Sequence, residues 1–309
     1  MKTAADLTIP PASFPEPAVR AARVPSRAND FYELTKPRMN FLVVATTMVG
    51  FYMAVRSRAD WSPIVATLIG TVLTAASAAV FNQVIEHDHD KLMPRTRLRP
   101  IPAGRVGRRE ATVYGAILGL VGVGYLAAKV NPLTAGLGLF TLLSYVLVYT
   151  PLKRTTTLNT VVGAIPGAIP PVMGWTAVHG TLSPQAAVLF CILFFWQMPH
   201  FLAIAIMYKN DYAAGGFKML PVVDTNLSIT GRQIVLYGAF LIPITLMPTV
   251  PLHMTGVIYF VSALVLGLAY LSFGLICANT RQRQDARKLF FVSITYLPLL
   301  LAVMMLDKQ

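Results

Sequence analysis

Cysteine is nearly absent: the 309 residues include two, Cys191 and Cys277. Each stands alone in an apolar segment, with no CxxC or other metal-ligand spacing, which excludes a disulfide framework and a thiolate zinc site. Charge is also scarce. Charged residues make up 13% of the chain, with 13 acids against 26 bases, while 55% of residues are hydrophobic. That balance excludes an ordinary soluble enzyme of this size. Acids are missing from the middle of every long apolar run, where a proton- or sodium-coupled carrier needs an ionisable group or a broken helix. No nucleophilic Ser-His-Asp or Cys-His pattern is evident.

Long apolar runs dominate what remains. About 17 to 25 apolar residues cross a bilayer as a helix, and runs of that kind fall near 39–57, 63–86, 111–129, 133–150, 158–178, 185–208, 233–250, 255–277 and 289–306. The expected fold is all-α: a polytopic membrane helical bundle of about nine transmembrane helices. Several runs contain Pro, Gly or Thr, as in Gly163-Ala-Ile-Pro166-Gly-Ala-Ile-Pro170-Pro171, kinks that neighbouring membrane helices accommodate. Residues 1–28 are rich in Pro and Ala without an apolar core. They read as a mobile N-terminal tail rather than a signal peptide, leaving 29–309 as one transmembrane domain.

The formal charge of +13 could suggest nucleic acid, but its placement argues for a membrane. With nine spans, one set of loops and ends holds 22 of the 26 Lys and Arg residues, and the other set holds Arg56, Arg58, Lys129 and Lys308. By the positive-inside rule the N-terminus is cytoplasmic and the C-terminus outside. Asp6 and Glu16 in the tail count against a mitochondrial transit peptide, so a bacterial plasma membrane is the expected location.

The acids beyond the N-terminal segment gather on the basic side. Asn82-Gln-Val-Ile-Glu86-His87-Asp88-His89-Asp90 closes the second span, and a run with Lys91, Arg95, Arg97, Arg99, Arg105, Arg108 and Arg109 follows. At ~100° per residue, Asn82, Glu86 and Asp90 share one helix face while Asp88 points elsewhere. Converging oxygens suit a hard cation such as Mg²⁺, and adjacent cations suit an anionic substrate such as a diphosphate. Arg95, Arg97 and Arg99 are the better ligand candidates, whereas Arg108 and Arg109 serve topology.

Two further polar clusters lie on the same side. Tyr149-Thr-Pro-Leu-Lys153-Arg154 offers a hydroxyl donor in Tyr149, a mobile cation in Lys153 and a bidentate fork in Arg154; orientation alone also produces such a loop. Tyr208-Lys-Asn-Asp211-Tyr212-Ala-Ala-Gly215-Gly216-Phe217-Lys218 places Asp211 where it could face the first acidic patch, with glycines that permit a tight loop. The alternative there is a solvated helix end with a Gly turn. His200, in Trp196-Gln-Met-Pro-His200, lies inside the sixth span. It either meets a porphyrin, through the iron or a propionate, or is a hydrogen-bonded interhelical histidine. His87 and His89 read as decoration of the acidic helix end rather than ligands of a second metal.

Taken in order, the blocks Asn82–Pro102, Tyr149–Asn159, Trp196–Phe201 and Asp211–Pro221 resemble the UbiA-type intramembrane prenyltransferases, and within them the haem-farnesylating branch, the protohaem IX farnesyltransferases. The resemblance runs from Tyr32-Glu-Leu-Thr-Lys-Pro-Arg38 through the last span. It implies a helical bundle around a lipid-accessible cavity, with two acidic motifs facing each other across its cytoplasmic mouth. Asn82, Glu86 and Asp90 match the first motif, with Glu86 where Asp is usual. Asp211 begins the second, but Gly215 stands where many members carry another Asp. The implied reaction joins farnesyl diphosphate to a vinyl carbon of haem B, giving haem O and diphosphate. Mg²⁺ would be held by Asn82, Glu86, Asp90 and Asp211. Lys153 would act in catalysis beside them, and Arg95, Arg97, Arg99, Tyr149, Arg154, His200, Tyr212 and Lys218 would bind substrate. The resemblance also implies membrane lipid as surroundings, and a haem A synthase or terminal oxidase assembly factors as partners, with no nucleic acid.

Two rival readings fit part of the pattern. A UbiA-like enzyme acting on an aromatic quinone precursor shares the fold and motifs, and only the haem-branch blocks WQMPHF and DYxxGG argue against it. A non-catalytic haem binder or transporter accounts for the spans and the histidines. It leaves the gathering of acids and cations at one membrane face without a reason.

Overall fold

The computed structural model describes residues 26–309; the expected tail, apart from its last three residues, lies outside that range. A short helix α1 (Arg27–Leu34), capped by Ser26, precedes α2 (Pro37–Ala54), α3 (Ile64–Asp90) and α4 (Arg108–Lys129). The next span starts as α5 (Pro132–Leu143), widens into a π-helical turn at Ser144–Tyr149 and ends in α6 (Thr150–Leu152). Then follow α7 (Asn159–Ala168) and α8 (Pro170–His179), which together make one broken span, and α9 (Pro184–Met207). Two short helices, α10 (Lys209–Ala214) and α11 (Leu220–Val223), lead to α12 (Ser228–Leu246), α13 (Val257–Thr280) and α14 (Arg283–Leu306). Among the described residues, eight spans are long and apolar enough to cross a membrane. The 18-residue α2, whose first turn carries Pro37, Arg38 and Asn40, falls short of that measure, so eight of the nine expected spans meet it.

Small residues let these helices approach, as membrane packing requires where apolar side chains gain nothing by leaving lipid. Gly115, Gly119 and Gly122 of α4 face α3, and Ser77 Oγ donates to Gly115 O at 2.7 Å. A Cβ on Gly174 of α8 would collide with the backbone of Thr47 and Phe51 in α2. The helix break between α7 and α8 falls at Ile169, before the imino nitrogens of Pro170 and Pro171, which cannot donate. At the end away from the basic loops, Lys308 Nζ donates to Tyr52 O at 2.6 Å and to Val55 O, and Asp307 Oδ2 accepts from Tyr259 N at 2.7 Å. The C-terminal residues thereby join the end of α2 to the start of α13.

Helix α1 fixes the geometry at the basic end. Its Leu34 is fully buried with Val80, Ile101, Val106 and Ala111. Arg105 Nε donates to the buried Asp30 at 2.8 Å and Gln83 Nε2 to Leu34 O at 2.8 Å. The chain therefore enters α2 pinned against the last turns of α3.

Candidate active site

Helix α3 continues through Asp90, so Asn82, Glu86 and Asp90 stack at four-residue spacing on one face, and all three are buried. Asp88, off that face, keeps 70% of its side chain exposed. Each of the three stacked side chains accepts from one cation brought by a different segment. Lys36 Nζ donates to Asn82 Oδ1 at 2.7 Å, Lys153 Nζ to Glu86 Oε1 at 2.8 Å, and Arg99 Nη1 to Asp90 Oδ2 at 2.8 Å. The result is a ladder of three oxygen-bearing side chains facing three cations. Buried pairs of this kind contribute little net stability, because desolvation consumes the Coulombic gain; their persistence points to use.

Lys36 was missing from the residues expected at the site. It sits between Thr35 and Pro37 with φ +49°, a left-handed conformation that a residue before proline rarely adopts. Burial, with Arg99 and Lys153 nearby, lowers its pKa to about 7. Burial also opposes the charge of Lys153, yet the Glu86 carboxylate beside it, with the Tyr149 and Tyr145 rings, holds that pKa above its ordinary value. The sequence signal for Lys36 was the Thr-Lys-Pro triplet, masked because a Lys ahead of a span also satisfies the charge rule.

The other expected residues take different places. Tyr149, turned by the π-helical segment, lies with its ring 4.6 Å from Lys153 Nζ. Arg95 extends over Tyr208 and Tyr212, at 5.1 and 5.8 Å from the ring centroids. Asp211 is half-buried in the first turn of α10 and forms no side-chain hydrogen bond or ion pair among the described residues. Lys218 joins the clusters through its backbone: its N donates to Lys153 O at 2.7 Å and its O accepts from Asn159 Nδ2 at 3.0 Å, while its side chain is exposed. Arg97 and Arg154 are exposed and no side-chain partner holds them among the described residues. His200 belongs to the α9–α14 contact. Its Nδ1 is 2.7 Å from Ser293 Oγ, and its ring lies 5.1 Å from that of Trp196 and 5.2 Å from that of Phe290.

His89 does more than decorate the helix end. Its Nδ1 is 2.8 Å from the carbonyl of Gly215, beyond Asp211, and its ring packs 5.4 Å from that of Phe217. Together with Met93, which is buried among Ala205, Phe217 and Met219, this contact seats the second acidic segment against the first.

The donor set is all oxygen, as a hard divalent cation requires. Among the described residues no three His, Cys, Asp or Glu side chains converge as a ready metal cluster, and Lys153 and Arg99 each hold one oxygen of Glu86 and of Asp90. Asp90 Oδ1 is buried without a partner. An orphaned buried carboxylate oxygen is costly, so a cation there would be welcome, and the residues present fit Mg²⁺.

Comparison with known proteins gives the family. Residues 43–295 match the UbiA prenyltransferase family. The protoheme IX farnesyltransferase of Solibacter usitatus is 45% identical over 288 residues, covering 90% of this chain and 98% of that protein. That of Koribacter versatilis is 43% identical over 302 residues, covering 94% and 97%. Among solved structures, a digeranylgeranylglyceryl phosphate synthase superposes with a TM-score of 0.75 at 14% identity, covering 91% of this chain and 98% of the other. A UbiA homolog from Archaeoglobus fulgidus bound to DMAPP and Mg²⁺ gives 0.63 at 17% identity, covering 89% and 99%. With more than half its length matched to the profile and relatives above 40% identity along nearly all of it, the chain belongs to the UbiA prenyltransferase family.

Proposed function

We propose that this chain is an intramembrane prenyltransferase that moves the farnesyl group of farnesyl diphosphate to a vinyl carbon of haem B, with addition of water, giving haem O and diphosphate. The observation that carries the diphosphate half is the ladder of Asn82, Glu86 and Asp90 facing Lys36, Lys153 and Arg99. The names of the relatives and the WQMPHF and DYxxGG blocks carry the haem half. Residues 29–309 form the single catalytic domain.

Lys36, Lys153 and Arg99 turn from their carboxylate and amide partners toward the diphosphate, and Arg95 approaches from its seat over Tyr208 and Tyr212. Mg²⁺, held by Asn82, Glu86, Asp90 and Asp211, would neutralise charge on the diphosphate as it leaves. The allylic C1–O bond breaks with its electron pair departing on diphosphate, and the vinyl carbon bonds to C1. Water then adds to the neighbouring cationic carbon and loses a proton, leaving the hydroxyl. The Tyr149 ring beside Lys153 lends an electron-rich face to the developing cation. His200, sandwiched by Trp196 and Phe290, is the proposed porphyrin contact.

Replacing Asp90 or Asp211 by Ala should lower haem O formation on the order of 100-fold or more while the protein stays folded in the membrane. Pigment extraction and mass analysis read the product, and near-normal turnover by both variants would sink the metal assignment. The membrane is the bacterial plasma membrane, with the ladder on its cytoplasmic side. Cysteine introduced at Arg97 should then react with an impermeant maleimide in inverted vesicles and not in intact cells, and cysteine at Arg58 should show the reverse. The opposite labelling pattern would invert the topology.

A further inference from the structure

The second acidic segment carries one carboxylate where two would be usual in the family, and the structure around the vacant position explains how it manages. Gly215 is buried, and a Cβ there would lie 3.0 Å from Met93 Sδ and 3.1 Å from Phe217. A side chain at 215 would therefore press against both neighbours, which would have to give by a few tenths of an ångström to admit it. Instead, the backbone carbonyl of Gly215 faces α3, at 2.8 Å from His89 Nδ1. A carbonyl oxygen can only accept, so Nδ1 carries the proton and donates.

We propose that His89 is a positioning residue for the diphosphate site: its hydrogen bond to Gly215, with its ring against Phe217, clamps the segment bearing Asp211 onto the helix bearing Asn82, Glu86 and Asp90. The assignment rests on the reading of those residues as the diphosphate site. His89 follows Asp88 and precedes Asp90, so its backbone belongs to the last turn of the ladder helix. Gly215 ends α10, whose first turn holds Asp211. Beyond Gly215, the same segment is tied at Lys218 to Lys153 and Asn159. Lys153 is in turn bonded to Glu86. The segment therefore has two hydrogen-bonded anchors to the ladder, one at Lys218 through Lys153 and one at Gly215 through His89, beside the packing of Met93 and the Arg95 contact with Tyr208 and Tyr212. Loss of the second loosens the half that contains Asp211 and leaves the half next to Lys153 in place.

Three substitutions separate this role from general packing. An asparagine amide places an N–H close to where the imidazole Nδ1–H lies, whereas a glutamine amide places it one bond farther out. H89A and H89Q should raise the KM for farnesyl diphosphate about 3- to 10-fold, the scale of one lost neutral hydrogen bond, with the KM for haem B unchanged. Both should speed amide exchange across Asp211–Phe217, and H89N should restore both quantities to near the parent values. Amide exchange reads the clamp without any turnover, so a wrong substrate assignment would leave the exchange result standing while the kinetic result failed. The proposal is overturned if H89A leaves exchange across that segment unchanged, or if H89N matches H89A in exchange.

Discussion

At the level of single residues, the site is a set of matched pairs rather than a set of free carboxylates. Glu86 and Asp90 are neutralised by Lys153 and Arg99, so under the proposed function an arriving diphosphate would exchange one set of anions around the cations for another. Lys153 is the pivot: it bonds Glu86, lies against Tyr149, and passes the contact on to Lys218 through its carbonyl. Replacing Lys153 by Met keeps the stem and removes the charge. The KM for farnesyl diphosphate should rise roughly tenfold or more, the scale of a hydrogen bond to a charged group, while affinity for haem B, followed by its absorption, stays near the parent value. Equal loss of both affinities would instead mark structural damage. The first acidic motif was legible in the sequence because helical periodicity alone places residues 82, 86 and 90 together. The cation pairing was not: Lys36, Lys153 and Arg99 come from three separate segments, and a basic residue at a loop serves topology equally well. Nothing in the sequence distinguishes Arg99, which reaches Asp90, from Arg97, which points to solvent.

At the level of helices, apolar length foretold the spans, while their local distortions lay below what hydropathy resolves. The run at 133–150 reads as one uniform helix, yet it widens at Ser144–Tyr149 and so turns Tyr149 toward Lys153; a π-helical turn leaves no compositional mark. The run at 289–306 begins earlier than expected, at Arg283, because the charged first turns of α14 stand beyond the apolar stretch and extend the helix past it. Between helices, glycine sets the spacing. The contact of α8 with α2 depends on Gly174, whose missing Cβ leaves room for the backbone of Thr47 and Phe51. Gly174→Ala should cost about 1–3 kcal/mol by overpacking and lower the melting temperature in detergent. Gly136→Ala, at a position with open space around it, is the matched control. Equal melting of the two variants would mean that α2 and α8 are free to move apart.

At the level of the whole molecule, the charge asymmetry, the position of the acids and the fold all serve one end of the bundle. The chain places its cations where a membrane-bound anionic head group would present itself, and it leaves the middles of the spans without acids. Apolar walls matter for the proposed chemistry because they keep water from an allylic centre that has begun to lose its diphosphate. The bundle alone does not name the acceptor, since the same architecture carries different prenyl acceptors; the choice of haem rests on the relatives and on the short blocks around His200 and Asp211. The most direct test is therefore chemical. Purified protein is incubated with haem B, farnesyl diphosphate and Mg²⁺, and the extracted pigment is analysed by mass. The account predicts a haem that has gained one farnesyl group and one hydroxyl, with diphosphate released in equal amount. Haem B recovered unchanged from protein that binds it tightly, or farnesyl transferred to a phenolic acceptor in preference to haem, would contradict it.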